Sequence, residues 1–249
     1  MNKTKIDWCD YSWNPIKGIC KNNCWYCYAR RFYIRFKWNP EPRLDEKELN
    51  ILFKKKLPKG SKIFVCSTHE LFGHWVKTEW IIKILRVIDK FPEYTFIILT
   101  KNPRNIKGFW IPKNVWLGVS IESSEYYYRL LDLYHLIIYQ KIFPTVKFVS
   151  FEPLLEDVLN WEKIRDLGYN IWEIESVLKR MDWIIVGGLT GVRRLNCETN
   201  PEMKGWVNKI YNFCRTNGIP IFIKDNVKYP FKSHTIKEFP MRGKRKWID

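Results

Sequence analysis

The sequence predicts an α/β fold, a partial or full (β/α) barrel of TIM type with mostly parallel strands. Three observations predict it. Short apolar, β-branched runs alternate with stretches of helical periodicity along the 249 residues. Each run ends in polar residues or glycine. The composition is 46% hydrophobic, enough to cover both faces of a sheet. A doubly wound open sheet has the same alternation and differs only in strand order.

The first strand is expected near residues 10–13, ahead of a cysteine-bearing loop at 16–28. Residues 37–60 read as a Pro- and Lys-bearing connection with a short helix at 45–53. KIFVC at 62–66 is a buried-strand pattern. Thr78 then suits a helix N-cap; Trp80, Ile84, Val87, Ile88 and Phe91 keep helical spacing, and Pro92 stops the helix. YTFIIL at 94–99 and VWLGV at 115–119 are the next strands. Between 124 and 139, Leu130, Leu133, Tyr134 and Ile137 share one helical face. KFV at 147–149 and DWIIV at 182–186 continue the alternation, with an inserted helix at 171–180. Asn200 and Pro201 suit the cap and first position of a helix with Val207, Ile210, Tyr211 and Cys214 inside, closed by Gly218. IPIFI at 219–223 is the last strand. The barrel is expected over 1–224, with a basic C-terminal extension at 225–249.

The polar strand ends supply candidate binding residues. Ser67, Thr68 and Glu70 follow the second strand, Thr100 and Lys101 the third, and Ser120 and Glu122 the fourth. Ser150 and Glu152 follow the fifth, Gly187 and Gly188 the sixth, and Lys224 the last. In a parallel barrel such ends share the face where ligands bind. A carboxylate accepts several hydrogen bonds, so Glu122 suits a diol. Lys101 suits a carboxylate or phosphate, and Lys224 an anionic substrate. The paired glycines permit close backbone approach to an adenine or ribose. Singly, each residue also suits a solvated loop or a local cap.

Lys and Arg number 43 against 26 Asp and Glu, a net charge of +17. That surplus suits a nucleic-acid partner, DNA or RNA, because cationic side chains neutralise phosphates and release counterions. An AT-rich genome gives the same surplus: Lys outnumbers Arg about two to one, and Ala29 is the only alanine. The apolar content argues against disorder. No apolar run approaches the roughly 20 residues of a membrane span. The N-terminal residues lack an apolar signal segment, so a cytoplasmic location is expected. Seven cysteines in such a chain point to reduced thiols rather than a disulfide framework.

Cys20, Cys24 and Cys27 are spaced C-x3-C-x2-C within CKNNCWYC, the sharpest motif in the chain. Thiolates at these spacings converge from one loop on a small metal centre. A structural zinc site takes four ligands; no second knuckle supplies the fourth, and Cys9 is the distant option. A 4Fe–4S cluster on three thiolates leaves one iron open to chelate the amino and carboxylate groups of S-adenosylmethionine (SAM). Zinc and chance spacing are the alternatives. Cys214 falls on an apolar helix face; Cys9, Cys66 and Cys197 share no knuckle spacing, and a second cluster built from them is the alternative to burial.

The triplet, with Tyr26 at the position before the last cysteine, resembles the radical SAM superfamily. KIDWCDYSWNPIKGIC, CWYCYARRF, KIFVCSTHELF, TFIILTKNP, NVWLGVSIES, VKFVSFEPLL, DWIIVGGLTG, IPIFIKDN and TIKEFP resemble, in order, a phage-associated radical SAM family known as a domain of unknown function. The likeness covers nearly the whole chain. Two departures stand out. The family's longer insert between its first two cysteines is only Lys21-Asn22-Asn23 here, and its acidic residue after the paired glycines is Leu189. The second weakens any ribose or amine contact at that position.

The resemblance implies a barrel of radical SAM type with a 4Fe–4S cluster on Cys20, Cys24 and Cys27. It implies SAM as cofactor, cleaved to a 5′-deoxyadenosyl radical by one electron from a reductant such as flavodoxin or ferredoxin. Ser67, Thr68 and Glu70 would lie where the SAM amino group is held. Ser120 and Glu122 would lie where its ribose or carboxylate is held. Asn14 would buttress the cluster loop, and Trp13 would shield the cluster or pack in the core. The substrate class expected is a nucleic acid or nucleotide, modified or repaired, with Arg30, Arg31, Arg35, Arg193 and Arg194 as a phosphate track. The alternatives are a small-metabolite substrate, or a non-catalytic zinc- or cluster-containing nucleic-acid-binding protein.

Overall fold

The structure, a computed structural model, describes residues 1–139, 144–191, 194–229 and 236–240. Arg193 and the basic residues Arg242, Lys244, Arg245 and Lys246 lie outside the described residues.

The strands are β1 (Asn2–Lys3), β2 (Tyr11–Trp13), β3 (Ile16–Lys17), β4 (Arg43–Leu44), β5 (Lys62–Val65), β6 (Thr95–Thr100), β7 (Val115–Ser120), β8 (Val146–Phe151), β9 (Trp183–Val186) and β10 (Ile221–Ile223). Eight of them form one sheet in the order β1-β2-β5-β6-β7-β8-β9-β10. β1 runs antiparallel to β2, whereas β2–β5, β5–β6, β8–β9 and β9–β10 pair in parallel. From β2 onward the described strands follow chain order with no reversal. A doubly wound sheet has a switch in that order. The topology is therefore singly wound, a partial (β/α) barrel with mostly parallel strands.

The helices are α1 (Tyr28–Arg35), α2 (Glu46–Leu49), α3 (Ile51–Lys54), α4 (Thr78–Asp89), α5 (Tyr128–Tyr139), α6 (Trp161–Asp166), α7 (Ile171–Lys179) and α8 (Met203–Thr216). The chain divides into two compact units, one built on Met1–Leu117, the other on Gly118–Tyr139 and the residues from Val146. In the first, Trp13 is fully buried, edge-on to Phe96 at 6.0 Å, and its Nε1 donates to Glu48 O at 2.7 Å. In the second, Trp183 packs between Phe148 and Phe222, with centroids 5.5 and 6.0 Å away. Gly118 leaves room for the Phe148 ring: a Cβ there would lie 2.6 Å from it.

Several element boundaries differ from expectation. Thr78 is the first residue of α4, and the capping position falls on Lys77, whose side chain makes no cap bond. The helix expected at 45–53 is two short ones, started by Asp45, which accepts from Lys47 N and Glu48 N. α8 begins at Met203; Asn200 caps only the preceding turn, accepting from Glu202 N at 3.1 Å. Helices α1 and α6 were not anticipated. Residues 236–240, expected in an extension, lie along β10: Ile223 N donates to Ile236 O at 2.8 Å and Glu238 N to Ile221 O at 3.1 Å. No described helix is long and apolar enough to cross a membrane.

Candidate active site

The cysteine loop is clamped at both ends. At its entrance β3 pairs with β4, and Ile19 N donates to Pro40 O at 2.7 Å. Gly18 has φ +106°, and a Cβ there would lie 2.5 Å from Glu41 O, so only glycine fits. Its N–H donates to the Tyr33 hydroxyl at 2.8 Å. At the exit, Cys27 is the N-cap of α1 and its Sγ accepts from Arg30 N at 3.5 Å. Cys20, Cys24 and Cys27 are unpaired and half-buried, whereas Cys9, Cys66 and Cys214 are buried. Burial pushes the Cys20 thiol up to about 12, opposed by N–H donors of Asn22 and Glu70. Sulfur becomes a ligand as thiolate, so binding a cation there must release the Cys20 proton.

This donor set fits a group that takes sulfur ligands. Among the described residues, no three His, Cys, Asp or Glu side chains converge on a single ion.

The loop is tied to the strand ends by Glu70, which is buried beyond β5. Its Oε1 accepts from Thr100 Oγ1 at 2.7 Å and Phe72 N at 3.0 Å. Its Oε2 accepts from Lys101 N at 2.9 Å and from Asn22 Nδ2, in the loop, at 3.2 Å. Two carboxylate oxygens offer about four acceptor sites, and protein donors occupy that number here. Asn102 extends the tie, donating through Nδ2 to Asn22 Oδ1 at 2.9 Å and through its N–H to Thr100 Oγ1 at 2.9 Å. Ser67 and Thr68 meet Asn14: its Oδ1 accepts from Ser67 Oγ at 3.1 Å and from Thr68 N and Oγ1 at 3.2 Å. The Lys101 ammonium lies 5.7 Å from the centre of the Tyr26 ring. His69 is buried; Nδ1 bonds Glu70 O at 2.8 Å, and burial pulls its pKa down.

In the second unit, Glu122 is almost wholly buried and receives Arg129 Nη1 at 2.8 Å. The same nitrogen reaches Ser120 O at 2.9 Å, and the guanidinium lies 4.0 Å from the centre of the Tyr126 ring. Glu152 forms an ion pair with Lys224. A Cβ on Gly187 would lie 2.6 Å from Glu152 Cδ. One on Gly188 would lie 2.7 Å from Asn226 O and 2.8 Å from Leu195 O, while Asn226 bonds both backbone groups of Gly188 at 3.1 and 2.8 Å. Both glycines thus sit against protein atoms on one side. Ser150 Oγ is buried and has no hydrogen-bond partner among the described residues.

The structure gathers Glu70, Thr100, Lys101 and the cysteine loop, and separately Ser120 with Glu122, and Glu152 with Gly187 and Lys224. Asn22, Asn102, Arg129 and Asn226 carry much of this geometry and were missed. The one signal for Asn22 in the sequence is a polar residue in so short a spacer between cysteines.

Comparisons with known proteins bear on this geometry. No curated protein sequence matches the chain. Solved structures of spore photoproduct lyase share the fold. The enzyme complexed with dinucleoside spore photoproduct gives a TM-score of 0.56 at 12% identity, over 89% of this chain and 78% of that one. A double mutant of it with bound AdoMet and dinucleoside spore photoproduct gives 0.61 at 13% identity, with the same coverage of 89% and 78%. A model of the family described as "Protein of unknown function (DUF5131)" matches residues 3–245. A match of that extent shows that the chain belongs to this family.

Proposed function

We propose that the chain is a radical SAM enzyme acting on a nucleic acid or nucleotide. The observation that carries this reading is the clamped loop bearing Cys20, Cys24 and Cys27, set in a fold shared with a lyase that binds AdoMet. When bound, a 4Fe–4S cluster supplies one electron that splits SAM into methionine and a 5′-deoxyadenosyl radical.

The three cysteines hold the cluster, and Glu70, through Asn22, fixes the loop that carries them. Ser67, Thr68, Glu70, Lys101 and Tyr26, bordering the loop, form the first set of cofactor-binding positions. Ser120, Glu122, Glu152, Gly187 and Gly188 form the second set of cofactor-binding positions, and the buried Ser150 hydroxyl adds a donor for a ligand hydroxyl there. The barrel spans 1–224, and of the basic segment 225–249 the residues 236–240 add to it along β10. The charge of +17 and the dinucleoside lesion in the structural relatives support a nucleic-acid substrate. A flavodoxin or ferredoxin is the reductant.

Anaerobic reconstitution with iron and sulfide tests this. The expected outcome is an EPR-active cluster that releases 5′-deoxyadenosine from SAM when reduced, and no release from Cys24→Ala. Stoichiometric zinc with no SAM cleavage overturns the reading.

A further inference from the structure

Helix α1 leaves the cysteine loop with an exposed aromatic face. Only Ala29 and Tyr33 of its residues are buried. Tyr28, Phe32 and Phe36 recur every fourth residue and are 42%, 44% and 51% exposed. Four residues of α-helix rise about 6 Å, and the ring centroids stand 5.9 and 6.1 Å apart, a row along one face. Trp38 extends the row, stacked on Phe36 at 5.3 Å. Arg31 and Arg35 repeat beside it at the same spacing, and the Arg35 guanidinium lies 5.5 Å from the centre of the Phe36 ring. From Lys17 to Arg43 the chain has seven Lys and Arg against one acid, Glu41.

Contiguous exposed rings mark a surface that something covers. Rings interleaved with guanidiniums match a nucleic-acid strand with unpaired bases, because bases stack on aromatic faces and phosphates pair with arginine. A duplex hides the base faces. An apolar protein surface would leave the arginines without anions. We propose that the outer face of α1, with Trp38, binds the unpaired nucleotides of a DNA or RNA strand beside the cysteine loop; this rests on the nucleic-acid reading above and assigns its surface.

The test is fluorescence anisotropy of labelled 20-nucleotide single strands, DNA and RNA, and of the matching duplexes, over a salt series. Single strands should bind more tightly than duplex. The double variant Phe32→Ala/Phe36→Ala should weaken single-strand binding roughly tenfold or more per ring. Phe32→Leu/Phe36→Leu, which keeps apolar bulk and loses the stacking face, should stay as weak. Arg31→Gln/Arg35→Gln should make the log–log salt slope shallower by about 1.4. Trp172→Ala, at a ring 75% exposed on α7, should change neither. Wild-type binding that all α1 variants retain overturns this proposal and leaves the nucleic-acid reading standing. No wild-type binding to any strand at low salt overturns both. Oligonucleotide binding kept, with flavodoxin binding lost, in the α1 variants overturns the proposal and gives the face to the electron donor.

Discussion

Asn22 Nδ2 donates to Glu70 Oε2 at 3.2 Å, across 48 residues of chain. This bond joins the spacer between the first two cysteines to the buried carboxylate beyond β5. Because Asn102 holds the other end of the Asn22 amide, the spacer is fixed from both sides. Three residues between two cysteines would otherwise have wide conformational freedom, and ordering them on ligand binding costs about 1–2 kcal/mol per residue. The Glu70 network orders them beforehand.

Glu70→Gln tests that role. The amide replaces an acceptor oxygen with a donor, so at least one of the four donors now at Glu70 loses its partner. A buried donor left unsatisfied costs about 1–3 kcal/mol, or roughly 2–12 °C in Tm for a chain of this size. Alkylation of Cys20 should also speed up as the loop loosens. An unchanged Tm with SAM cleavage abolished would show instead that Glu70 meets a ligand directly.

The buried Glu122–Arg129 pair gives a larger effect. Arg129→Leu takes from the buried Glu122 carboxylate a cation held at 2.8 Å; breaking a buried pair costs about 3–5 kcal/mol. Adding Glu122→Gln should recover part of the loss, since a neutral amide is easier to bury than a carboxylate that has lost this cation. Urea denaturation of the two variants measures both steps. A single-variant loss under about 1 kcal/mol would mean that the pair behaves as a surface ion pair.

The paired glycines should differ in tolerance. At Gly187 an added methyl meets the Glu152 side chain, which can rotate at the expense of its ion pair with Lys224. At Gly188 it meets two backbone oxygens, at 2.7 and 2.8 Å, that cannot move without shifting Asn226 and Leu195. Gly188→Ala should therefore cost more than Gly187→Ala, within the roughly 1–3 kcal/mol typical of overpacking. Thermal melts rank the two, and the reverse order would remove this account.

The strands were legible because burial on both faces writes continuous apolar runs: all six residues of β7, Val115–Ser120, are buried. Helix α1 was not, because its large apolar residues face outward and give no core stripe. At the site, the cysteines and Glu70 were legible through local spacing and strand-end position. Asn22, Asn102 and Asn226 were not. Their partners lie 48, 80 and 38 residues away, and a side-chain amide carries no pattern until the fold brings its partner close. The polar strand ends showed where to look, but not that the protein's own donors already occupy Glu70.

Cys214 gives stability a pH dependence whose sign is fixed. It lies on the inner face of α8 with no exposed surface, and burial pushes its thiol up to about 12. In the unfolded chain a cysteine titrates near about 8.5. The folded value is the higher one, so the stabilisation is full below about 8.5 and is lost as pH rises toward 12. At pH 9.5 the unfolded chain gains about 1.4 kcal/mol by ionising this thiol while the folded chain keeps it protonated. Cys214→Val removes the titrating group and keeps an apolar side chain. Between pH 7.5 and 9.5 the wild type should therefore lose about 1.4 kcal/mol more stability than the variant, read from urea midpoints. Native Cys214 should also resist iodoacetamide at pH 8 and react once urea unfolds the chain. Parallel pH profiles for the two proteins, or alkylation of Cys214 in the native state, would place the thiol in contact with water and refute its burial on α8.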